Sequence, residues 1–127
     1  MFELKATASN GRYFGITKVY DTTESLFGFA QTLVGFPNGN SNLLHEAGIK
    51  DSSAYFSMNF YCIDNAGHIG VEIILEDHVA AGFRPEKKEK LKLEIIVEPN
   101  AIDNFQKELS QLATKQNGMA ILYGRDN

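Results

Sequence analysis

The sequence predicts an α+β domain with a single mostly antiparallel sheet of five or six strands and two helices packed on one face. Three segments within residues 54–98 alternate apolar and polar side chains, the pattern of strands with one buried face. Each flank of the chain adds a strand followed by a helix, with the helices at about 22–36 and 100–115. The other sheet face is mixed polar and charged, which an exposed antiparallel sheet permits.

Length and charge restrict the possible functions. A chain of 127 residues forms one domain, taken as 1–127, and is large enough to bury a core. With 12 basic and 16 acidic residues, its net charge is -4. This balance disfavours nucleic acid as a partner, because phosphate binding requires a basic surface. A basic partner suits the chain better.

The only cysteine is Cys62, so no internal disulfide is possible. It lies within a strand pattern, and we expect it to be a small buried apolar residue. The start of the chain has no apolar run suited to a signal peptide. No stretch approaches the roughly 18 apolar residues that a membrane span requires. We therefore expect a soluble cytoplasmic protein with no membrane contact.

The first 36 residues predict a hairpin and a helix. Asn10 and Gly11 form a strong turn signal between two strands. Val19 is out of phase with Phe14 and Ile16, which predicts a bulge or an early end to the second strand. The segment 21–24 resembles a capping box at the start of the first helix. The apolar stripe of that helix is Leu26, Phe29, Ala30, Leu33 and Val34.

Residues 37–52 show no periodicity and predict a long loop, a kind of segment that is often functional or mobile. A tight connection at 64–67 and a pairing of Ile63 with His68 would place Tyr61 opposite Gly70, where an aromatic ring stabilises a strand glycine. Residues 79–88 are expected to form a loop, and 119–123 a short edge strand. The predicted core is Phe29, Leu33, Phe56, Met58, Phe60, Val71, Ile73, Leu93, Ile95, Phe105 and Leu109.

The charged side chains give no clear metal or catalytic motif. His68, Glu72 and Glu76 share a strand face, in the same parity as His78, but residues two apart on a strand are separated by about 6.5–7 Å, too far for a zinc tetrahedron without His45. Glu72 and Glu76 are roughly 13 Å apart by strand rise, beyond the range of a glycosidase pair. We therefore expect no metal, no cofactor and no enzyme activity.

Two further groups of side chains on this face are explained by contacts between neighbouring strands. Glu94 could approach the other carboxylates, but Lys92 on the same face favours cross-strand ion pairing. Tyr55 and Tyr61 resemble an aromatic platform for RNA bases, which also requires surrounding positive charge. Their neighbours are acidic, so cross-strand packing is the expected role.

The order of elements, together with the run Asp64-Asn65-Ala66-Gly67-His68-Ile69-Gly70-Val71, resembles the WapI-type immunity proteins of bacterial polymorphic toxin systems and their uncharacterised relatives. Further matching pieces are the segment 26–30 and Asn104-Phe105 with Leu109. The resemblance extends from about residue 12 to 113. It implies a non-enzymatic protein that binds and neutralises a toxin domain, and it supplies no catalytic residues.

The leading hypothesis is therefore a protein-binding module, with a basic toxin domain as the expected partner. Its expected surface is the 37–52 loop together with the outward sheet face, which carries Tyr55, Asn59, Tyr61, Glu72, Ile74, Glu76, Glu94 and Ile96. The alternative is a small-ligand-binding protein or an unrecognised enzyme, with a pocket that uses His45, Glu46 and His68. A deep pocket with converging polar groups would favour the alternative, whereas a flat surface would favour protein binding.

Overall fold

The computed structural model describes residues 1–37, 39, 42–49, 53–78 and 88–125. The described elements follow the order β1 (Phe2–Ser9), β2 (Phe14–Asp21), α1 (Thr23–Thr32), β3 (Asn42–Gly48), β4 (Tyr55–Cys62), β5 (Ile69–Asp77), β6 (Glu89–Val97) and α2 (Pro99–Lys115). The predicted α+β class and the antiparallel pairing are confirmed. None of the helices in these described ranges is long and apolar enough to cross a membrane.

The strands form two sheets, so the prediction of a single sheet of five or six strands is wrong. Among the described strands, β1 and β2 pair only with each other, and the second sheet has the order β3-β4-β5-β6. Period-two alternation identifies a strand but does not specify its neighbour at the sheet edge. Because α1 separates β2 from β3, no tight turn joins the two sheets at that point.

The β1–β2 hairpin forms at the predicted turn. The Asn10 side chain accepts hydrogen bonds from the backbone N–H of Arg12 and Tyr13 at 3.0 and 2.9 Å. Pairing then continues without interruption from Ser9↔Phe14 to Phe2↔Asp21, so the suspected bulge is absent. Val19 is buried and Phe14 exposed, because alternate residues of β2 face opposite sides and Val19 belongs to the inner one.

The first helix is shorter than the predicted range of about 22–36. Its N-cap is Thr22, one residue after the Asp21 of the expected capping box, and the Thr22 side chain accepts a hydrogen bond from the Ser25 N–H at 3.1 Å. The helix ends at Thr32, and Leu33 and Phe36 remain buried beyond it. The buried apolar stripe therefore continues past the last helical turn, but Val34, which was expected to belong to it, is exposed.

The predicted long loop at 37–52 contains a strand. β3 (Asn42–Gly48) pairs with β4 along its whole length, from Asn42↔Tyr61 to Gly48↔Tyr55. The side chain of His45 occupies a buried position on the inner face of this strand. A polar residue at an inner position interrupts the apolar alternation, and this is why the strand had no recognisable period.

The β4–β5 hairpin follows the predicted register. The Ile63 N–H donates to the carbonyl of His68 at 2.9 Å, and Tyr61 pairs with Gly70. Cys62 is exposed at the end of β4, so the expectation of a buried cysteine is wrong. Its position at the strand terminus explains this, because the core covers the middle of the strand. Most of the predicted loop at 79–88 lies outside the described residues.

The end of the chain departs from expectation at one place. α2 ends at Lys115 with Gln116 in a left-handed conformation, close to the predicted stop at Asn117 and Gly118. Residues 119–123 form no strand, although one was expected. The Arg125 N–H donates to the carbonyl of Ile96 at 2.8 Å, a single contact that does not extend into a ladder.

One core joins both helices with the inner faces of both sheets. At its centre Phe60 is fully buried, with the rings of Phe29, Phe36 and Phe105 at centroid distances of 5.9, 6.3 and 6.4 Å. Every residue of the predicted core belongs to it, with Phe56 and Ile95 at its partly buried margin. From the other sheet, Ala8 is part of the core and Leu4 packs against it.

Candidate protein-binding face

The outward-pointing residues of the four-stranded sheet form a single surface, called here the outer sheet face. The strand register brings the predicted site residues together on it, since Tyr55 pairs with Glu76 and Asn59 with Glu72. Glu72 in turn pairs with Glu94 on β6. The members of the outer sheet face are Asn42, Leu44, Glu46, Gly48, Tyr55, Ser57, Asn59, Tyr61, Gly70, Glu72, Ile74, Glu76, Lys90, Lys92, Glu94 and Ile96.

Tyr61 on β4 lies across β5 and reaches β6. A Cβ atom at Gly70 would stand 2.6 Å from the ring of Tyr61, so the ring occupies the space that a side chain would fill. Because Gly70 leaves that path open, the Tyr61 hydroxyl can donate a hydrogen bond to the Glu94 carboxylate. Burial, followed by this hydrogen bond, raises the pKa of Tyr61 above its usual value.

Two carboxylates face each other beside this tyrosine. Glu72 and Glu94 are direct cross-strand partners, an arrangement of like charges that is unfavourable for the isolated sheet. The Lys92 ammonium lies 3.7 Å from the Glu72 carboxylate and offsets part of the repulsion. Since Glu94 is exposed and Glu72 partly so, this carboxylate pair is open to a cation from outside.

Two of the predicted site residues are not available at the surface. Tyr55 and Glu76 are only 4% and 1% exposed. The Tyr55 hydroxyl donates to Glu46 at 2.6 Å, and its pKa is raised by burial and then by this hydrogen bond. The Glu76 carboxylate lies 3.3 Å from the Lys88 ammonium and 3.7 Å from that of Lys90. We therefore assign both residues to the structure of the sheet and remove them from the candidate surface.

β3 adds three exposed side chains that the sequence did not predict on this face, the first being Asn42, which pairs with Tyr61. Leu44 pairs with Asn59 and is 55% exposed, and Glu46 pairs with Ser57 and is also exposed. Leu43 and Ala47 point inward and Glu46 points outward, which is the alternation expected of a strand. The polar His45 at an inward position interrupts this alternation, so the sequence pattern did not indicate a strand. The accessible surface thus contains the side chains of Asn42, Leu44, Glu46, Asn59, Tyr61, Glu72, Ile74, Lys90, Lys92, Glu94 and Ile96.

The three residues expected to line a pocket do not converge. His45 is buried on the inner side, with Nε2 2.8 Å from the Asp21 carboxylate and its ring 5.0 Å from that of Phe29. Glu46 points to the opposite side of the same strand. His68 lies at the β4–β5 turn, where Nδ1 is 2.7 Å from the Asp64 carboxylate. The expected pocket is therefore not formed by these side chains.

The turn pair of Asp64 and His68 is exposed on both sides. Its hydrogen bond, assisted by the backbone N–H of Ala66, lowers the pKa of Asp64. Asp64 stabilises the turn, because its carboxylate also accepts hydrogen bonds from the backbone N–H groups of Ala66 and His68. Throughout the described ranges, no three histidine, cysteine, aspartate or glutamate side chains are placed to hold a metal ion.

The outer sheet face offers carboxylates, two lysines, a fixed tyrosine ring, the exposed Leu44 and two partly buried isoleucines, all on one sheet surface. This combination can bind a complementary protein surface through charge and apolar contact. A shallow groove lies away from this face, between α2 and the segment after it, and its lining includes Asn104, Lys107 and Tyr123.

Searches of family models, curated proteins and solved structures find no match to the chain.

Proposed function

We propose that this chain is a non-catalytic protein-binding module, and more specifically an immunity protein, whose outer sheet face binds a basic toxin domain. The observation that carries the proposal is the direct pairing of Glu72 with Glu94 beside the Tyr61 ring. Two facing carboxylates attract a lysine or arginine side chain of a partner. The adjacent ring provides the flat surface against which a guanidinium group stacks.

The charge of the whole chain supports the same kind of partner. A net charge of -4 accelerates encounter with a basic protein through long-range attraction. Specificity would then come from the carboxylate pair, because a partner lacking a cation at that point would leave the like charges opposed. The resemblance of the sequence to WapI-type immunity proteins names the class of partner that both arguments favour.

The apolar part of the face supports a protein partner over a small ligand. Leu44 is exposed on β3, and the partly buried Ile96 on β6 pairs with Gly70 under the tyrosine ring. The partly buried Ile74 lies further along β5, where it pairs with Ser57 and Lys92. Specific interfaces combine such apolar contacts with a charged margin, and aromatic anchors contribute much of their affinity. Because Tyr61 is already held by Glu94, little side-chain entropy is lost when a partner binds.

The proposal is tested by co-expression with the product of the gene immediately upstream. The chain should restore growth to cells that produce this product and should co-elute with it in size-exclusion chromatography. Glu72→Lys should abolish the rescue, because it places a cation where the partner's cation would bind. Asp103→Lys reverses one charge on the exposed side of α2 and is the matched control that should retain the rescue.

Two results would overturn the proposal. The first is an upstream product that is not toxic and does not bind the chain. The second is equal rescue by the Glu72→Lys variant and the control, with both variants folded by circular dichroism. The second result would exclude the face while leaving open that the chain acts as an immunity protein through another surface.

A further inference from the structure

A second exposed surface lies on the hairpin, on the far side of the core. The side chains that point outward from β1 and β2 form the hairpin outer face, made up of Glu3, Lys5, Thr7, Ser9, Phe14, Ile16, Lys18 and Tyr20. Phe14 and Tyr20 are 63% and 60% exposed, and Ile16 between them is also exposed. Since the inner faces of both sheets meet in one core, this surface points away from the outer sheet face.

The two lysines of the hairpin outer face are direct cross-strand partners. Lys5 pairs with Lys18, and no carboxylate in the described part of the chain forms an ion pair with either ammonium. Like charges directly opposite each other destabilise a two-stranded sheet. Arg12 at the turn adds a third cation, and Glu3 is the only acidic side chain on the face, which gives the face with its turn a net charge of +2.

The fold does not depend on these outward side chains. The hairpin is attached through its inner side, where the Thr17 hydroxyl donates to the carbonyl of Glu76 at 3.1 Å. Val19 is buried, and Gly15 lies against Leu75 and Leu91. The two exposed aromatic side chains on the other side, Phe14 and Tyr20, are not part of the described core. Phe14, Ile16 and Tyr20 thus share one exposed strand face, interrupted only by Lys18. Exposed apolar side chains gathered on one face of a small protein commonly mark an interaction site.

We infer that the hairpin outer face is a second docking surface, which binds an acidic protein segment that carries apolar side chains. The facing lysines would each gain a carboxylate partner, and their mutual repulsion would be relieved on binding. Phe14, Ile16 and Tyr20 would supply the apolar contact along one strand. This partner differs in charge from the basic partner proposed for the outer sheet face, so the two could bind at the same time.

Two other occupants fit the observations less well. A second copy of the chain could place its Glu72 and Glu94 on the lysine pair, but the two faces point away from each other. Such a contact is heterologous and would propagate into open chains of molecules. Nucleic acid requires a larger field of positive charge, whereas the whole chain is acidic.

The inference is tested by selecting binders from a displayed library of random peptides of about twelve residues, long enough to span one strand of the hairpin. The full-length protein is the bait, and its Glu72→Lys variant is a parallel bait that leaves the hairpin unchanged. Both should enrich peptides that combine aspartate or glutamate with aromatic or aliphatic residues. A Lys5→Glu/Lys18→Glu bait should lose this acidic enrichment, because its charge is reversed.

Synthetic versions of the enriched peptides then provide the quantitative test. Their affinity should fall by roughly tenfold or more in Lys5→Glu/Lys18→Glu and in Phe14→Ser, with a strong salt dependence in the unaltered protein. Lys107→Glu/Lys115→Glu reverses two exposed charges on α2 and should leave the affinity unchanged. Thermal melting in all variants separates loss of binding from loss of fold.

Three outcomes would overturn the inference. The first is enrichment without an acidic bias, or binding that the hairpin variants leave unaltered. The second is tighter binding of an oligothymidine strand than of the peptides, which would assign the face to nucleic acid. The third is concentration-dependent association in sedimentation velocity that Lys5→Glu/Lys18→Glu abolishes, which would assign it to a second copy. Each of these results is independent of toxin binding at the outer sheet face.

Discussion

The ring of Tyr61 lies across Gly70 on the neighbouring strand, at the distance where a methyl group on that glycine would overlap it. The absence of a side chain at Gly70 lets the Tyr61 hydroxyl extend over β5 to Glu94 on β6. A single side chain thus connects three strands across the outer sheet face. The glycine and the tyrosine act together, so a change at either one should alter the effect of a change at the other.

Gly70→Ala is expected to destabilise the protein by about 1 kcal/mol, because the added methyl group displaces the ring and breaks the hydrogen bond to Glu94. In a Tyr61→Ala background the same change should be neutral or stabilising, since alanine is easier to order in a strand than glycine. Urea denaturation of the two single variants and the double variant measures the coupling. Free energies that add to within about 0.3 kcal/mol would show that the residues are independent.

Stability should decline at alkaline pH through Tyr61. Burial and the hydrogen bond to Glu94 raise the pKa of Tyr61 above its ordinary value. The stabilisation is fully present below about pH 10, where the tyrosine of the unfolded chain is also protonated, and it is lost as the pH rises toward the higher folded-state pKa.

Two measurements check this expectation. Spectrophotometric titration of the phenolate should show a late-ionising group that Tyr61→Phe removes. The same variant should lose stability less steeply above pH 10 than the unaltered protein. Identical alkaline profiles for the two proteins would exclude Tyr61 as the group responsible.

Phe60→Ala should cost about 3–5 kcal/mol, since the side chain is fully buried among three other aromatic rings and its removal leaves a cavity. Phe14→Ala, on the hairpin outer face, is the matched control and should cost no more than about 0.5 kcal/mol. Both values come from denaturant unfolding. A loss below about 1 kcal/mol for Phe60→Ala would contradict the assignment of the inner sheet face.

His45 and Asp21 should behave as a coupled buried pair. Both side chains are almost inaccessible to solvent. Removing either side chain leaves the other one buried without its hydrogen bond. His45→Ala and Asp21→Ala should each cost about 3 kcal/mol, and the double variant should cost clearly less than their sum. Additive costs in chemical denaturation would show that the contact contributes little.

Local patterns were sufficient for much of the fold. The turn at Asn10 and Gly11 and the short connection before His68 set two hairpin registers, and alternation around Phe60 identified the core. β3 was missed because His45 occupies an inner position, and its hydrogen-bond partner Asp21 is 24 residues earlier in the chain. A contact between residues so far apart in the sequence produces no periodic pattern of apolar and polar residues within the strand.

The candidate surface was predicted in part. The parity of Tyr61, Glu72 and Glu94 placed them correctly on one face, because neighbouring strands keep alternation in register. The burial of Glu76 depends on lysines contributed by β6 and the segment before it, which the alternation within β5 does not reveal. Because of such cross-strand contacts, Glu76 is buried while Glu94 on the same face is exposed.

Protein binding at the outer sheet face is tested most directly by surface plasmon resonance against the product of the adjacent gene, at two salt concentrations. Tyr61→Ala and Leu44→Ser should each weaken binding by about 1 kcal/mol or more, because they remove the partly exposed ring and an exposed aliphatic side chain from the face. Glu72→Lys should slow association and reduce its salt dependence. Val34→Ser is the matched control, since Val34 is as exposed as Leu44, at 55%, but lies after α1.

Thermal melting of each variant shows that binding is measured on folded protein, which matters most for Tyr61→Ala because the ring also covers Gly70. The proposed function predicts weaker binding in all three face variants and unaltered binding in Val34→Ser. Unchanged rate constants in the folded Tyr61→Ala, Leu44→Ser and Glu72→Lys proteins would contradict it and would remove the outer sheet face as the binding surface.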